Sequence, residues 1–319
     1  VFDLPALENA AALVHSIMPP TPQIAWPRLA ERAGCTVIVK HENHTPAGAF
    51  KIRGGIVFMQ SLADHGTRPP GLISATRGNH GQSLAFSGRR AGLPVTIVVP
   101  QGNSLEKNAA MRAFGASLIE TGRDFDEARE TAMRMSEERG LLMVPAFHKD
   151  LVRGVATYAL ELFRATPRLD TVYVPIGLGS GICGLIATRD LLQLETEIVG
   201  VVSSEADCYA QSFEKGRLVT TETAITLADG MACRVPMQDA FEVIRRGAAR
   251  ILRVSDAEIS DAIRAYHEDT HNLAEGAGAA PLAALLQERE RQHGKRVALI
   301  LTGGNIDRGL YAEIVGANA

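Results

Sequence analysis

Four short stretches of this 319-residue chain carry residues whose types and spacing suit chemistry on a small molecule. The first is Ala49-Phe50-Lys51-Ile52-Arg53-Gly54, reached from an apolar run, Cys35 to Val39, through a polar turn with Pro46 and Gly48. The run reads as a buried strand, the turn ends it, and a helix is expected to begin near Lys51. An ammonium set among Ala49, Phe50 and Ile52 is partly desolvated. Its pKa falls, and the amine becomes able to attack a carbonyl, as a Schiff-base lysine must. The plainer alternative is a solvated lysine that opens a helix.

The second stretch, Ser74-Ala75-Thr76-Arg77-Gly78-Asn79-His80-Gly81-Gln82, follows a strand at Leu72 and opens a helix. Its hydroxyls, amide and imidazole make a donor-rich helix N-terminus suited to an anion such as a carboxylate, or simply a capped turn. The third, Pro175-Ile176-Gly177-Leu178-Gly179-Ser180-Gly181-Ile182, has glycines at alternate positions, so successive N–H groups can converge on a phosphate. It is not a Walker loop, since no Lys-Ser or Lys-Thr pair follows. A dinucleotide fingerprint competes, because Gly179, Gly181 and Gly184 satisfy Gly-x-Gly-x-x-Gly and Glu205 follows the next strand. The fourth, Leu301-Thr302-Gly303-Gly304-Asn305, puts a hydroxyl at the tip of the last strand, where open α/β sheets bind ligands.

The elements that must position these stretches alternate along the chain. A helix carrying Leu7, Ala11, Val14 and Ile17 is expected to end at Pro19-Pro20, and a short helix with Trp26, Leu29 and Ala30 precedes the strand before Lys40. Expected strands are Leu72 to Ala75, Val95 to Val99, Ser117 to Glu120, Thr171 to Pro175, Ile198 to Val202, Ile251 to Val254 and Val297 to Leu301. Between them fall helices over Gln82 to Ala91, Leu105 to Phe114, Phe125 to Glu138, Leu151 to Phe163 and Ile182 to Leu194, then one near Phe241, one opened by Ser255 with Glu258 in a capping box, and one from Ala277. The stretch from Ser203 to Ala240 reads as less regular. Such alternation calls for parallel strands covered by helices. The chain ends soon after the last strand, and no appended regulatory domain is expected.

Composition narrows the partners. The length favours two domains. With 33 Lys and Arg against 36 Asp and Glu, a net charge of -3 and no basic block, neither nucleic acid nor a membrane surface is indicated. Cys35, Cys183, Cys208 and Cys233 are far apart in apolar surroundings, which points to a reducing compartment. There is no apolar stretch of membrane-spanning length and no signal-peptide pattern at the start, so a cytoplasmic location is expected.

In their fixed order, the four motifs resemble the fold-type II pyridoxal-phosphate enzymes, specifically the threonine/serine dehydratase and serine racemase family, from about Thr21 to Asp307. The resemblance implies an α/β fold of two open twisted sheets with helices on both faces, like the β subunit of tryptophan synthase, with pyridoxal 5'-phosphate in the interdomain cleft. It implies a discontinuous large cofactor-binding domain, residues 1–48 and 150–319, and a small substrate-binding lid domain, 49–149. Lys51 would carry the cofactor and Phe50 flank it. Asn79 would bond its ring oxygen, Gly177, Leu178, Gly179, Ser180 and Gly181 its phosphate, and Thr302 would face its pyridine nitrogen. Glu275 matches a family glutamate near the cofactor, although a helix N-terminus favours a glutamate in any case. Thr76, Arg77, Gly78 and His80 would hold the substrate. The implied activity is an ammonia-lyase converting a 3-hydroxy-L-amino acid to a 2-keto acid and ammonia, in a homodimer or homotetramer.

Four departures qualify the match. Arg77 stands where serine racemases have a serine that acts as second base; an arginine stays protonated, which disfavours racemisation. It would instead reach the substituent of a larger or more anionic substrate, such as phenylserine or 3-hydroxyaspartate, or else point to solvent or pair with a carboxylate. Ala49 replaces a serine, and Leu178 a glycine. Val201-Val202 stand where cation-binding members have a glutamate, leaving Glu205 and Asp207 as candidate ligands for a monovalent or divalent cation. The His267-Glu268-Asp269-Thr270-His271 spacing matches a short zinc-protease motif that the other four stretches leave without a role. Competing readings are a β-replacement synthase, a non-catalytic binding protein on the same fold, and a nucleotide-dependent oxidoreductase.

Overall fold

The computed structural model describes residues 2–123 and 125–317. The chain opens with α1 (Leu4–His15), β1 (Gln23–Ala25), α2 (Pro27–Ala33), β2 (Thr36–His41) and α3 (Lys51–Asp64). There follow β3 (Leu72–Ala75), α4 (Asn79–Ala91), β4 (Val95–Val99), α5 (Leu105–Ala113), β5 (Ser117–Glu120), α6 (Phe125–Arg139) and β6 (Leu142–Met143). The second half runs α7 (Lys149–Val155), α8 (Thr157–Ala165), β7 (Thr171–Pro175), α9 (Ser180–Leu191), β8 (Glu197–Ser203), α10 (Cys208–Lys215) and α11 (Gln238–Gly247). It closes with β9 (Arg250–Val254), α12 (Asp256–Thr270), α13 (Gly276–Gln287), α14 (Arg289–Gln292), β10 (Arg296–Leu301) and α15 (Arg308–Gly316).

Two sheets result. One has the order β1-β2-β10-β7-β8-β9, parallel except for β1, and the other the order β5-β4-β3-β6, parallel throughout. Strand side chains alternate between faces, and the larger sheet uses both. Val37, Val39, Tyr173, Val297, Leu299 and Leu301 join the core under α12 and α13, whereas Ile38, Val172, Val174, Ala298 and Ile300 join the core under α8, α9 and α11. The smaller sheet is likewise covered on both sides, Leu72, Val95 and Ile97 lying on one and Ile73, Ala75 and Val98 on the other. This is the α/β architecture expected from the alternation.

Helix α3 lies where the two sheets' helices meet, and its glycines explain how. A Cβ on Gly54 would fall 2.8 Å from the Leu151 carbonyl oxygen, and one on Gly55 would fall 2.4 Å from Ser83 Oγ. The helix therefore packs backbone-close to α7 on one side and to α4 on the other.

Several expectations need correction. The helix expected from Leu151 to Phe163 is two helices, breaking at Ala156, and the stretch read as less regular contains α10. Strands β1 and β6 and helix α15 were not anticipated. Helix α1 ends at His15, capped by Ser16, before reaching Ile17 or the prolines, and β2 begins one residue later than expected and runs on to His41.

Candidate active site

Adjacent strands bring three of the four motifs to one edge. In the larger sheet β2, β10 and β7 are neighbours, and beyond their carboxyl ends lie the turn to Lys51, then Thr302, then the glycine loop. The turn is stapled to its neighbour: Ala49 bridges Gly303, and the Phe50 N–H donates to the Thr302 carbonyl at 2.9 Å. Thr45 Oγ1 accepts from the Ala49 N–H at 2.9 Å, closing the bend before the helix.

Lys51 opens α3 with its amine turned inward. Nζ lies 2.8 Å from Ser180 Oγ in the glycine loop and 5.0 Å from the centre of the Phe50 ring. Burial lowers its pKa from 10.5 to about 8. The Phe50 ring meets Tyr158 edge-on, and the Tyr158 hydroxyl donates to the Gly181 carbonyl at 2.9 Å. The side chain before the lysine is thus fixed against the loop that the lysine faces.

The loop itself is shaped to present N–H groups. Gly179 caps α9 in the left-handed region, φ 99°, with the Ala240 side chain 2.8 Å from where a Cβ would sit. Tyr209 fastens it from behind, its hydroxyl donating to the Leu178 carbonyl at 3.0 Å. The Leu178 side chain packs against the core under α9. Among the described residues no acceptor takes the N–H of Gly177, Leu178 or Gly179, and the first-turn N–H groups of α9 have no partner within their helix.

The smaller sheet supplies the facing wall. After β3, Thr76 is buried and its hydroxyl accepts from the Gly78 N–H at 3.1 Å. Asn79 begins α4; its amide donates to Glu275 Oε1 at 2.7 Å and accepts from Asn305 Nδ2 at 2.8 Å. Asn305 also donates to the Ala47 carbonyl at 2.9 Å, joining the fourth motif to the turn before Lys51. Glu275 is buried, and burial raises its carboxyl to about 7 against the pull of Lys107 and Asn79. His80 is buried too, held neutral with a pKa near 3 by desolvation and by the charge of Lys51, and its Nε2 has no partner among the described residues. Ser83 Oγ donates to the Lys51 carbonyl at 2.6 Å, tying α4 to the start of α3.

Other candidates lie apart. Arg77 is half-exposed, with its guanidinium 3.9 Å from Asp229. Asp207 accepts from Arg253 Nε at 2.8 Å and from Gln211 at 2.7 Å, and no group of three or more His, Cys, Asp or Glu side chains suited to a metal occurs among the described residues. His267 bonds the Tyr311 hydroxyl at 2.9 Å, while His271 caps α12 in the left-handed region. Sequence reasoning missed Arg53, Lys107 and Asn305 as neighbours of the site. Arg53 and Asn305 lie inside motifs already singled out, and Lys107 gave no signal of its own.

The residues fit pyridoxal phosphate on their own chemistry: a buried amine of lowered pKa faces an unpartnered cradle of N–H groups, with a neutral imidazole and a titratable carboxyl alongside. Fold and site together define a fold-type II cofactor-dependent α/β enzyme. The chain belongs to the family described as "Pyridoxal-phosphate dependent enzyme", matched over residues 15–303. It is 39% identical over 279 residues to an L-threonine ammonia-lyase of Geobacter sulfurreducens, spanning 87% of this chain and 69% of that protein. It is 31% identical over 308 residues to an L-threo-3-hydroxyaspartate ammonia-lyase of Pseudomonas sp., spanning 96% of each. The structure of maize serine racemase is similar with a TM-score of 0.91 at 26% identity, covering 99% of this chain and 97% of that one.

Proposed function

We propose that this enzyme is an ammonia-lyase that converts a 3-hydroxy-L-amino acid (threonine, serine, or a larger analogue such as phenylserine or 3-hydroxyaspartate) to a 2-keto acid and ammonia. The observation that carries the reading is the 2.8 Å contact between the Lys51 amine and Ser180, which sets the lysine of the motifs against the glycine loop. Relatives named as ammonia-lyases for threonine and for 3-hydroxyaspartate support the reaction class.

In this reading Lys51 anchors the cofactor, Phe50 walls it, and Gly177 to Gly181 take its phosphate. Asn79, backed by Glu275, would meet the ring oxygen, and Thr302 would offer the ring nitrogen a neutral hydroxyl. Bound pyridoxal phosphate supplies an electron sink at the substrate α-carbon. Thr76, Gly78 and His80 hold the substrate carboxylate at the start of α4, where helix N–H groups favour an anion. Displaced from the cofactor by the substrate amine, Lys51, whose pKa burial lowers to about 8, has a larger neutral fraction near physiological pH than an ordinary lysine and serves as the base that takes the α-proton. The β-hydroxyl leaves as water, and one water returns when the freed enamine hydrolyses to keto acid and ammonia.

The two sheets support a division into a large domain, residues 1–48 and 150–319, and a lid, 49–149, that closes over substrate. A homodimer or homotetramer in the cytoplasm completes the proposal; no helix among the described residues is long and apolar enough to cross a membrane. A cation at Glu205 and Asp207 would have to displace Arg253, which Asp207 already pairs with.

A panel of 3-hydroxy-L-amino acids, with keto acid and ammonia measured without a second substrate, tests the reaction. Release of both supports it. Turnover only when a second nucleophile is added favours a β-replacement synthase, and a colourless purified protein favours a binding protein.

A further inference from the structure

A charge cluster lies over the turn from Thr76 to His80, and the roles given above leave it unused. Three positions in one turn at the start of α5 reach across to elements of the larger sheet's side. Ser104 Oγ donates to Asp307, Glu106 Oε1 accepts from the Arg308 N–H at 3.0 Å, and Lys107 Nζ donates to Asp229 Oδ2 at 2.9 Å. The Lys107 stem passes directly over Gly78, where a Cβ would lie 2.8 Å from its Cδ. Within the same turn, the Arg77 guanidinium is 3.9 Å from Asp229 Oδ1. One carboxylate therefore faces a cation of the turn and the cation whose stem lies against it.

Asp229 is itself referenced to the cofactor cradle. It opens the 3₁₀ turn Asp229–Met231, and the carbonyl oxygen of the next residue, Gly230, abuts Gly177 so closely that a Cβ on Gly177 would lie 2.1 Å from it. The Lys107 ammonium is secured electrostatically: burial works against it, but the carboxylates of Glu275, Asp229 and Asp307 outweigh that and hold its pKa above the ordinary value.

We propose that Asp229 is a positioning residue, which through Lys107 and Arg77 holds the Thr76–His80 turn at a fixed height above Lys51, so that a carboxylate bound on the turn presents its α-carbon to the amine. The inference rests on the assignment of that turn to the substrate carboxylate under the proposed function. Asp229 touches neither the glycine loop's N–H groups nor Lys51, so its loss loosens substrate placement and leaves cofactor binding alone.

The test uses the holoenzyme with L-threonine, reading both KM from keto-acid release and the amino-acid affinity from the change in cofactor absorption on titration. Asp229→Asn is expected to raise both constants roughly tenfold, the scale of one lost charge-assisted contact, with cofactor affinity within about twofold of wild type. Asp229→Ala should fail in the same way, and Asp229→Glu, which keeps the carboxylate, should recover most of the loss, which a merely structural role would not produce. In the unmodified enzyme the same constants should weaken as salt rises and screens the half-exposed pair. Unchanged constants in Asp229→Asn, cofactor loss in step with them, or no salt dependence in the unmodified enzyme would overturn the proposal. If no keto acid forms from any substrate, the reaction assignment fails, and the absorption titration still decides the role of Asp229.

Discussion

Arg53 Nη1 lies 2.6 Å from Glu161 Oε1, with both side chains buried, two residues along the helix from Lys51. The same guanidinium bonds Glu42 at 2.7 Å through Nε and at 2.9 Å through Nη2, and Lys40 meets the second Glu161 oxygen at 2.5 Å. The two arms of the chain that lead into and under the reactive lysine are thus locked together by two cations and two carboxylates. Glu161 is held well below the usual carboxylate range, near 2, because the Arg53 and Lys40 contacts outweigh its burial.

Removing the cation strands the acids. Arg53→Met leaves Glu42 with the Thr21 hydroxyl and no cation bonded to it, and Glu161 with Lys40, His15 and the Thr21 N–H, so it should destabilise the enzyme by about 3–5 kcal/mol, the usual cost of breaking a buried ion pair from one side. Urea unfolding of the two proteins measures it; a loss within about 1 kcal/mol would show that the network is not the anchor of α3.

Lys51 predicts a particular pH dependence in the cofactor-free protein. Below about pH 8 its buried ammonium is a cost of folding; between 8 and 10.5 the folded amine is neutral while the unfolded one keeps its proton. The unfolded state then binds more protons, so stability climbs through that window and levels off above it. Lys51→Met abolishes this part of the climb. The variant should be the more stable protein near neutral pH, by at most about 3 kcal/mol, and the gap should close by roughly pH 10.5. A gap that does not change with pH would mean that the amine is not desolvated.

Glu275 titrates in the opposite sense. Its folded carboxyl keeps a proton up to about 7 while the unfolded one loses it near 4.5, so stability falls as pH rises from 4.5 to 7 and then stays level. Glu275→Gln retains the acceptor for Asn79 and removes the titration. Its advantage over the unmodified cofactor-free protein should grow through that window to a plateau of about 2–3 kcal/mol. Denaturant unfolding at several pH values checks this, and a constant difference would contradict it.

Much of the architecture was legible because strands buried on both faces announce themselves as short β-branched runs. β3, β4 and β7, buried along nearly all their length, begin and end as the sequence led one to expect. β1 was not, since three residues flanked by prolines and paired antiparallel at the sheet edge carry no periodic signal. α10 hid in a stretch whose order comes from tertiary contacts, Cys208 and Tyr209 packing under α11. The motifs marked Lys51, the glycine loop and the Asn79 turn as residues of interest. They did not disclose that Arg53 is an internal anchor, or that Lys107 finds Asp229 across 122 residues of chain, because such partners are fixed by packing and by no local pattern.

Reduction of the holoenzyme with borohydride, followed by peptide mass spectrometry, addresses the central claim most directly. The account predicts one phosphopyridoxyl adduct, on Lys51, and its disappearance together with the long-wavelength absorption in Lys51→Ala. An adduct on any other lysine, or none in protein supplied with pyridoxal phosphate, would contradict it.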